Sequence, residues 1–401
     1  MTSSLATPPS ESRDFVARGG VLTACVALVA GALAMGVMAW AFQAAPARAY
    51  HSYLTAYVFV LSVLLGALGF TLIAHAANTT WPVAVRRLSE ASVAVLPLFL
   101  LLFVPVVLGL GRLYPWARTA PGPEPLASVL AHRRVFMNPR FFTLRACVFL
   151  GVWSFIALRL RSSSLAMDAG KGGAQRSVAL RRSSYAALIV TALTVAFAGF
   201  DWLMSLSPEF ASTMFGAYFI AMCLFGGSAW LVVLVAFADA RGFSGPLEQS
   251  HYHALGRLLL TFLVFVGYLA FFQYMLCWIA NKPDEVVFYL ARAQGTYGWE
   301  SAFLVLGHTF LPFFALLSFR LKRRPRELAV VGAWCLASHY VHLHWLVTAE
   351  SERRGFDWLD PVALVAVLGL ALGSAILLQR GKSTVAVRDP RYAAALAYRS
   401  R

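Results

Sequence analysis

The chain has 401 residues, of which 59% are hydrophobic and 13% charged, with a mean hydropathy of +0.68. A soluble domain carries about 25% charge, so there are too few polar side chains here to cover a soluble globule, which argues against a cytosolic enzyme. The net charge of +16 sits in short runs between long apolar stretches, which read as membrane-topology signals and not as a nucleic-acid surface.

In chain order, residues 1–18 form a polar tail that lacks the basic-then-apolar layout and cleavage site of a secretory signal. Ten apolar segments follow, near 19–45, 53–76, 89–111, 139–159, 185–205, 211–238, 253–280, 299–319, 327–348 and 361–379, and residues 380–401 form a second tail. Roughly 20 apolar residues span a bilayer, and lipid offers no partner to an open backbone, so each segment is expected to be helical. The expected fold is an all-α integral membrane protein of about ten transmembrane helices in the lipid bilayer. The loops and tails on the side of the two termini hold 22 basic residues and the opposite loops hold 10, which places both termini in the cytoplasm.

Between the segments, Pro115, Pro121, Pro123 and Pro125 mark a long outer loop. Gly170, Gly172 and Gly173 mark an inner loop expected to be disordered or covered by a partner. The turn SLSPEF at 205–210 makes an antiparallel hairpin of the fifth and sixth spans. Pro97, Pro105 and Pro312 read as single kinks. The five cysteines lie singly in apolar stretches, without the spacing of a disulfide framework, zinc site or cluster, so no metal is expected.

A carboxylate in hydrocarbon costs several kcal/mol unless paired or wetted. Asp201 is the one acid read inside a span, in its outer third, and is the first candidate for proton transfer; the alternative is an interfacial or turn-capping carboxylate. Glu90, Glu300 and Glu327 fall at span ends. Histidine titrates near neutrality, and His308 and His339 fall near mid-span as proton relays or as neutral rings bonded to carbonyls. His342 shares a helical face with His339, while His344 lies on another face and reads as interfacial. His75 and His253, at inner span ends, are candidates for proton uptake. Arg145 and Arg257 either pair with an acid or snorkel to headgroups, with snorkelling favoured. Tyr274 and Trp278 line a ring-binding cavity or, as base rates favour, belong to the interfacial aromatic belt.

Two ten-helix classes fit these residues. A transporter places polar groups around helix breaks at the midplane, and no mid-span Gly–Pro break is evident. Electron-transfer membrane subunits fit better. A haem b protein needs facing histidine pairs, for which His308 with His339 is the one pairing available.

The segment GFDWLMSLSPEFASTMFGAYF at 199–219 resembles the second quinone-binding-type membrane subunit of bacterial alternative complex III, a quinol:cytochrome c oxidoreductase, and its NrfD-like polysulfide-reductase relatives. HYHALGR at 251–257, FFQYMLCWIAN at 271–281, GHTFLPFFALLS at 307–318, KRRPR at 322–326 and SHYVHLHWLV at 338–347 carry the same resemblance. So do AHAANTTWPVAVRRLSEA at 74–91, LYPWA at 113–117 and DPRYAAALAY at 389–398. It extends from about the second span to the C-terminus.

The resemblance implies two four-helix bundles plus two further helices, and no redox cofactor held by this chain. It implies quinone or quinol as ligand, with haem c and iron–sulfur clusters in partner subunits. Those partners are multihaem and monohaem cytochrome c subunits, an iron–sulfur subunit, a homologous NrfD-like membrane subunit and, in some assemblies, a terminal oxidase, in the bacterial inner membrane. Carried over by motif, Asp201, His75, His253, Gln273, Tyr274, His308 and His339 are the positions of interest, with Trp278 beside them. The chain departs from the family pattern at Ala254 and Arg257, where the family carries Asp and Lys, at Phe272, where it carries Ser, and in the turn at 207–210. Losing an acid at 254 weakens a proton path through His253. The expected function is proton conduction or a quinone-type cavity in such a complex; the alternatives are an assembly scaffold and a stand-alone proton-coupled transporter.

Overall fold

The computed structural model describes residues 20–118, 135–349 and 355–400. Within them the protein is helical and contains no strand. The tail before residue 20 and the prolines at 121–125 lie outside the described residues.

Helix α1 (Val21–Ala44) runs to a tight turn at Ala45, and α2 (Pro46–Ala76) returns with proline in its first turn, where the missing N–H is harmless. Nearly every residue of α2 from Ala49 to Leu72 is buried. A helix that is apolar all round belongs in the middle of a bundle, and α2 is the central helix here.

The segment predicted at 89–111 is not one helix. It runs as α3 (Arg86–Val93), α4 (Leu98–Leu102), α5 (Val104–Leu108) and α6 (Leu110–Leu113), with a 44° bend between 86–93 and 98–108. Pro97 and Pro105 each remove a donor and clash with the preceding turn. Tyr53 and Tyr57 of α2 donate their hydroxyls to Leu102 O (2.6 Å) and Phe99 O (3.0 Å) along this broken run.

Helices α7 (Pro139–Asp168) and α8 (Gly173–Trp202) are each 30 residues long. The inner loop at 159–182, expected to be disordered or covered by a partner, is mostly helix, turning through Gly170 and Gly172 at positive φ, which glycine adopts without steric cost. After a short helical turn at Met204–Leu206, α9 (Phe215–Ala240) and α10 (Gln249–Ala280) follow.

Next come α11 (Pro283–Ala293), α12 (Gly295–Phe303), a π-helical segment Leu304–Phe310, α13 (Leu311–Leu317), α14 (Phe319–Lys322) and α15 (Pro325–Thr348). The last long helix is α16 (Leu359–Leu377), and a short α17 (Tyr392–Leu396) lies in the C-terminal tail.

Among the described residues, eight helices are long and apolar enough to cross a membrane, or nine if the bent run at 86–108 counts as one crossing. This is a multi-pass membrane protein. Helix α15, at 327–348 in the prediction, is 24 residues long but is not among the eight, because Ser338 and three histidines interrupt its apolar sequence.

Small residues set the packing, as expected where lipid removes the hydrophobic drive between helices. Gly66 of α2 meets Gly227 and the Cys223 carbonyl of α9 so closely that a Cβ at either glycine would overlap the facing backbone. Gly369 and Gly373 of α16, one turn apart, face α1: a Cβ on them would lie 2.7 Å from Ala27 O and 2.8 Å from Ala24 O. Helices α2, α3, α7 and α8 pack together, as do α9, α10, the π segment with α13, and α15; α2 and α9 join the two groups, and α1 and α16 lie against α2.

Candidate functional site

The π segment positions the central residue. Pro312 has no N–H, so in the register that the segment adopts, where Leu311 N bonds Leu306 O, the next carbonyl, Gly307 O, has no helical donor. Trp334 Nε1 of α15 supplies one at 2.8 Å. Pro312 is therefore more than the single kink expected: it widens the helix by one residue around His308, and such π-bulges recur at functional sites.

His308 lines a cavity of about 550 Å³ with residues of α9, α10, α11 and α15. Gln273 and Tyr274 of α10, Tyr289 and Arg292 of α11, and Tyr218 of α9 bring the polar groups; Val266, Ala270, Leu304 and Phe310 give apolar wall. Gln273 Nε2 donates to the Tyr289 hydroxyl at 3.3 Å. His342 also lines the cavity and hydrogen-bonds through Nε2 with the Tyr218 hydroxyl. The His308 and His342 rings are 4.8 Å apart, edge to face. The Arg292 guanidinium lies over the Phe288 ring at 3.5 Å and donates to Phe288 O at 2.9 Å, Leu346 O at 3.1 Å and Trp345 O at 3.3 Å, tying α11 to the end of α15.

The predicted residues do not assemble into one site. Gln273, Tyr274 and His308 share the cavity. Trp278 does not line it and is 71% exposed on the outside of α10, where an indole of the aromatic belt would be. His339 is fully buried behind the cavity, with Nε2 2.9 Å from the Ser62 hydroxyl of α2.

Asp201 lies elsewhere, at the end of α8. Arg145 of α7 grips it with two parallel bonds, Nε to Oδ2 at 2.7 Å and Nη2 to Oδ1 at 2.9 Å. The same guanidinium donates to Phe136 O at 3.0 Å and lies over the Phe136 and Phe141 rings. Arg145 thus pairs with an acid and does not snorkel; a bidentate fork in a site this buried outweighs headgroup hydration.

At the end of the bundle that carries the C-terminal tail, His75 is buried, and among the described residues neither ring nitrogen has a hydrogen-bond partner. His253 directs Nδ1 to the Ser400 hydroxyl at 2.5 Å and packs on Phe319.

Two buried charge clusters escaped the sequence. Beneath the tail, Arg86 and Arg87 flank Glu90, with Arg86 reaching Asp389 at 2.7 Å and Arg87 bonded to Asp168. Burial pushes the Asp389 carboxyl up, but Arg86 and Arg391, with the Arg391 backbone N–H, outweigh it and hold the group below its ordinary value. At the other end, Arg48 of α2 bonds Asp360 of α16 at 2.5 Å, Ser52 donates to the same carboxylate at 2.6 Å, and His344 stands between Asp360 (3.6 Å) and Glu300 (3.1 Å). His344 is completely buried and not interfacial as expected; its face of α15 turns to α12 and α16. The i, i+3 and i, i+4 spacing of Arg86, Arg87 and Glu90 was a readable signal. Arg48 and Asp360, 312 positions apart, offered none.

Among the described residues, no group of three His, Cys, Asp or Glu side chains is placed to hold a metal ion. No protein-family model matches the chain, and no curated protein matches it.

Proposed function

We propose that this chain is an integral membrane subunit of a bacterial quinol:cytochrome c oxidoreductase of the alternative complex III type, contributing a ring-ligand cavity and proton-carrying residues. The observation that carries the reading is the cavity itself. It lies within the helical bundle, has apolar walls, and gathers Gln273, Tyr289, His308 and His342 at its polar groups. Such a lining suits an amphipathic ring with a lipid-soluble tail.

The packing of eight helical segments in two groups of four, with α1 and α16 outside them, supports the two-bundle architecture that the resemblance implies. In this reading the chain crosses the inner membrane ten times, counting the broken run at 86–113 and α15, with both termini in the cytoplasm. Haem c and iron–sulfur clusters belong to its partners: multihaem and monohaem cytochromes, an iron–sulfur protein and a homologous membrane subunit. Asp201, locked by Arg145, acts in this scheme as an anchor whose ion pair must open before it carries a proton. His308 and His342, side by side in the cavity wall, are better placed to do so.

The test is affinity purification of the tagged chain in mild detergent, with mass spectrometry and a haem spectrum of what comes with it. Recovery with multihaem cytochrome c, an iron–sulfur protein and a second membrane subunit supports the proposal; a lone colourless protein rejects it. One observation favours a second reading, a stand-alone proton-coupled transporter: the π segment with Pro312 is a mid-span break of the kind transporters use. Substrate flux in vesicles without respiratory partners would decide for it.

A further inference from the structure

Another cavity, of about 380 Å³, lies between α7 and α8, with Leu72 of α2 at its side. Its walls are Val152, Ile156 and Leu160 of α7 and Ala187 and Val190 of α8, one stripe of each helix at the three- and four-residue spacing that keeps side chains on a common face. The two serines of the lining are satisfied: the Ser183 and Ser184 hydroxyls donate to Leu180 O at 3.2 and 2.7 Å. Arg159 of α7 also lines the groove. It is exposed, and among the described residues its guanidinium has no hydrogen bond and no ion pair. Arg161, two residues on, is the contrast. It is buried, donates to Glu90 O at 3.2 Å and Leu378 O at 3.0 Å, and bonds the Gln379 side chain. Arg161 ties helices together, whereas Arg159 offers the groove a full set of N–H donors.

Depth decides what that guanidinium meets. From Pro139, where α7 starts, to Arg159 is about 30 Å at 1.5 Å per residue. From Ser183 to Trp202, where α8 ends, is about 28 Å. Both match the roughly 30 Å thickness of the hydrocarbon core. With Pro139 and Trp202 at one face of the bilayer, Arg159 stands among the headgroups of the other, the face on which Gly173 lies beside Pro390 of the C-terminal tail. Arg182 precedes Ala186 of the lining by four residues, so it shares that face of α8 and adds a second positive charge at this level. The two acids of α7 and α8 are both paired, Asp168 with Arg87 and Asp201 with Arg145, so neither neutralises Arg159.

We propose that the groove binds an anionic phospholipid from the leaflet on the side of the C-terminal tail, with its phosphate on Arg159 and one acyl chain running along Ile156, Val152, Ala187 and Val190. An arginine fork matches the oxygens of a phosphate. The apolar stripe from Arg159 to Val152 takes about 10 Å of chain and presents no other unfilled donor to it. This proposal needs only that the chain lies in a membrane, and it is independent of the ring-ligand cavity.

The test is native mass spectrometry of the full chain, purified in mild detergent, delipidated and titrated with dioleoyl phosphatidylglycerol or dioleoyl phosphatidylcholine. The two lipids share chains and phosphate and differ in net charge. The expected result is about fivefold tighter binding of phosphatidylglycerol, the scale of an arginine facing an anionic headgroup. Arg159→Gln should bring that ratio to within about twofold. Arg320→Gln, which removes an exposed charge from α14 where it packs on α10 and α15, should leave the ratio as it was. Ala187→Phe fills the groove and should weaken both lipids alike, and excess inorganic phosphate should displace neither. Equal binding of the two lipids to the unmodified chain overturns the proposal, and that comparison needs no variant to fold. A ratio that survives Arg159→Gln, or one lost as fully in Arg320→Gln, overturns it too, the second because it marks attraction by net positive charge alone. Displacement by free phosphate, or lipid binding unchanged in Ala187→Phe, shows that no acyl chain occupies the groove and equally overturns it.

Discussion

Arg145 and Asp201 form a two-bond ion pair between α7 and α8, at 2.7 and 2.9 Å, with both side chains at least nine-tenths buried. Removing one partner of such a pair leaves the other charge without compensation, a loss of about 3–5 kcal/mol. Asp201→Asn and Arg145→Met should each lower the thermal unfolding temperature in detergent sharply, and the double change Arg145→Met with Asp201→Leu should recover much of it. If Asp201→Asn is as stable as the unmodified chain, the pair is not what holds these helices.

The crossing of α2 and α9 depends on the absence of side chains at Gly66 and Gly227. An Ala for Gly inside a helix otherwise stabilises by about 1 kcal/mol. Gly36 of α1 has open space where a Cβ would stand, with no neighbouring atom within 4 Å, so Gly36→Ala should be neutral or slightly stabilising. Gly227→Ala has to separate two backbones at the centre of the bundle and should be strongly destabilising, as overpacking is. Comparing the monodisperse fraction of the two variants by size-exclusion chromatography checks the contrast.

The Gly307 carbonyl depends on one indole. Trp334→Phe keeps an aromatic ring in place and removes the donor at 2.8 Å, and an unpaired carbonyl in a membrane costs about 1–3 kcal/mol. The expected result is a destabilisation of that size, because the π segment that holds His308 is loosened. A variant as stable as the unmodified chain would show that the carbonyl finds another donor.

The C-terminal tail is held through Asp389, whose carboxyl lies below its ordinary value because burial is outweighed by Arg86 and Arg391. A carboxyl depressed in the folded state contributes stability that is fully present above its unfolded value, about 3.9, and is lost as pH falls through the lower folded value. Tail docking should therefore persist at neutral and mildly acidic pH and give way only below the ordinary carboxylate range. Hydrogen exchange of residues 384–398 across pH checks this, and Asp389→Asn should leave the tail loose at every pH. Release already at pH 6 would show that another group controls it.

Composition and hydropathy alone determined that this is a helical protein of the membrane, because burying polar backbone in lipid leaves helices as the economical solution and because apolar residues arrive in runs long enough to cross. The tyrosine and histidine motifs of α10, the π segment and α15 were visible as residues, and Gln273, Tyr274 and His308 do meet in one cavity. What the linear order could not supply is pairing over distance. Nothing near Asp201 in sequence announces Arg145, 56 positions earlier, and Arg48 with Asp360 is a partnership of opposite ends of the chain. Only the packed helices decided that His344 is buried between two carboxylates, and that Trp278 faces outward while Gln273 faces in. Helix formation is settled by each segment and its solvent, whereas charge pairing is settled by which helices touch.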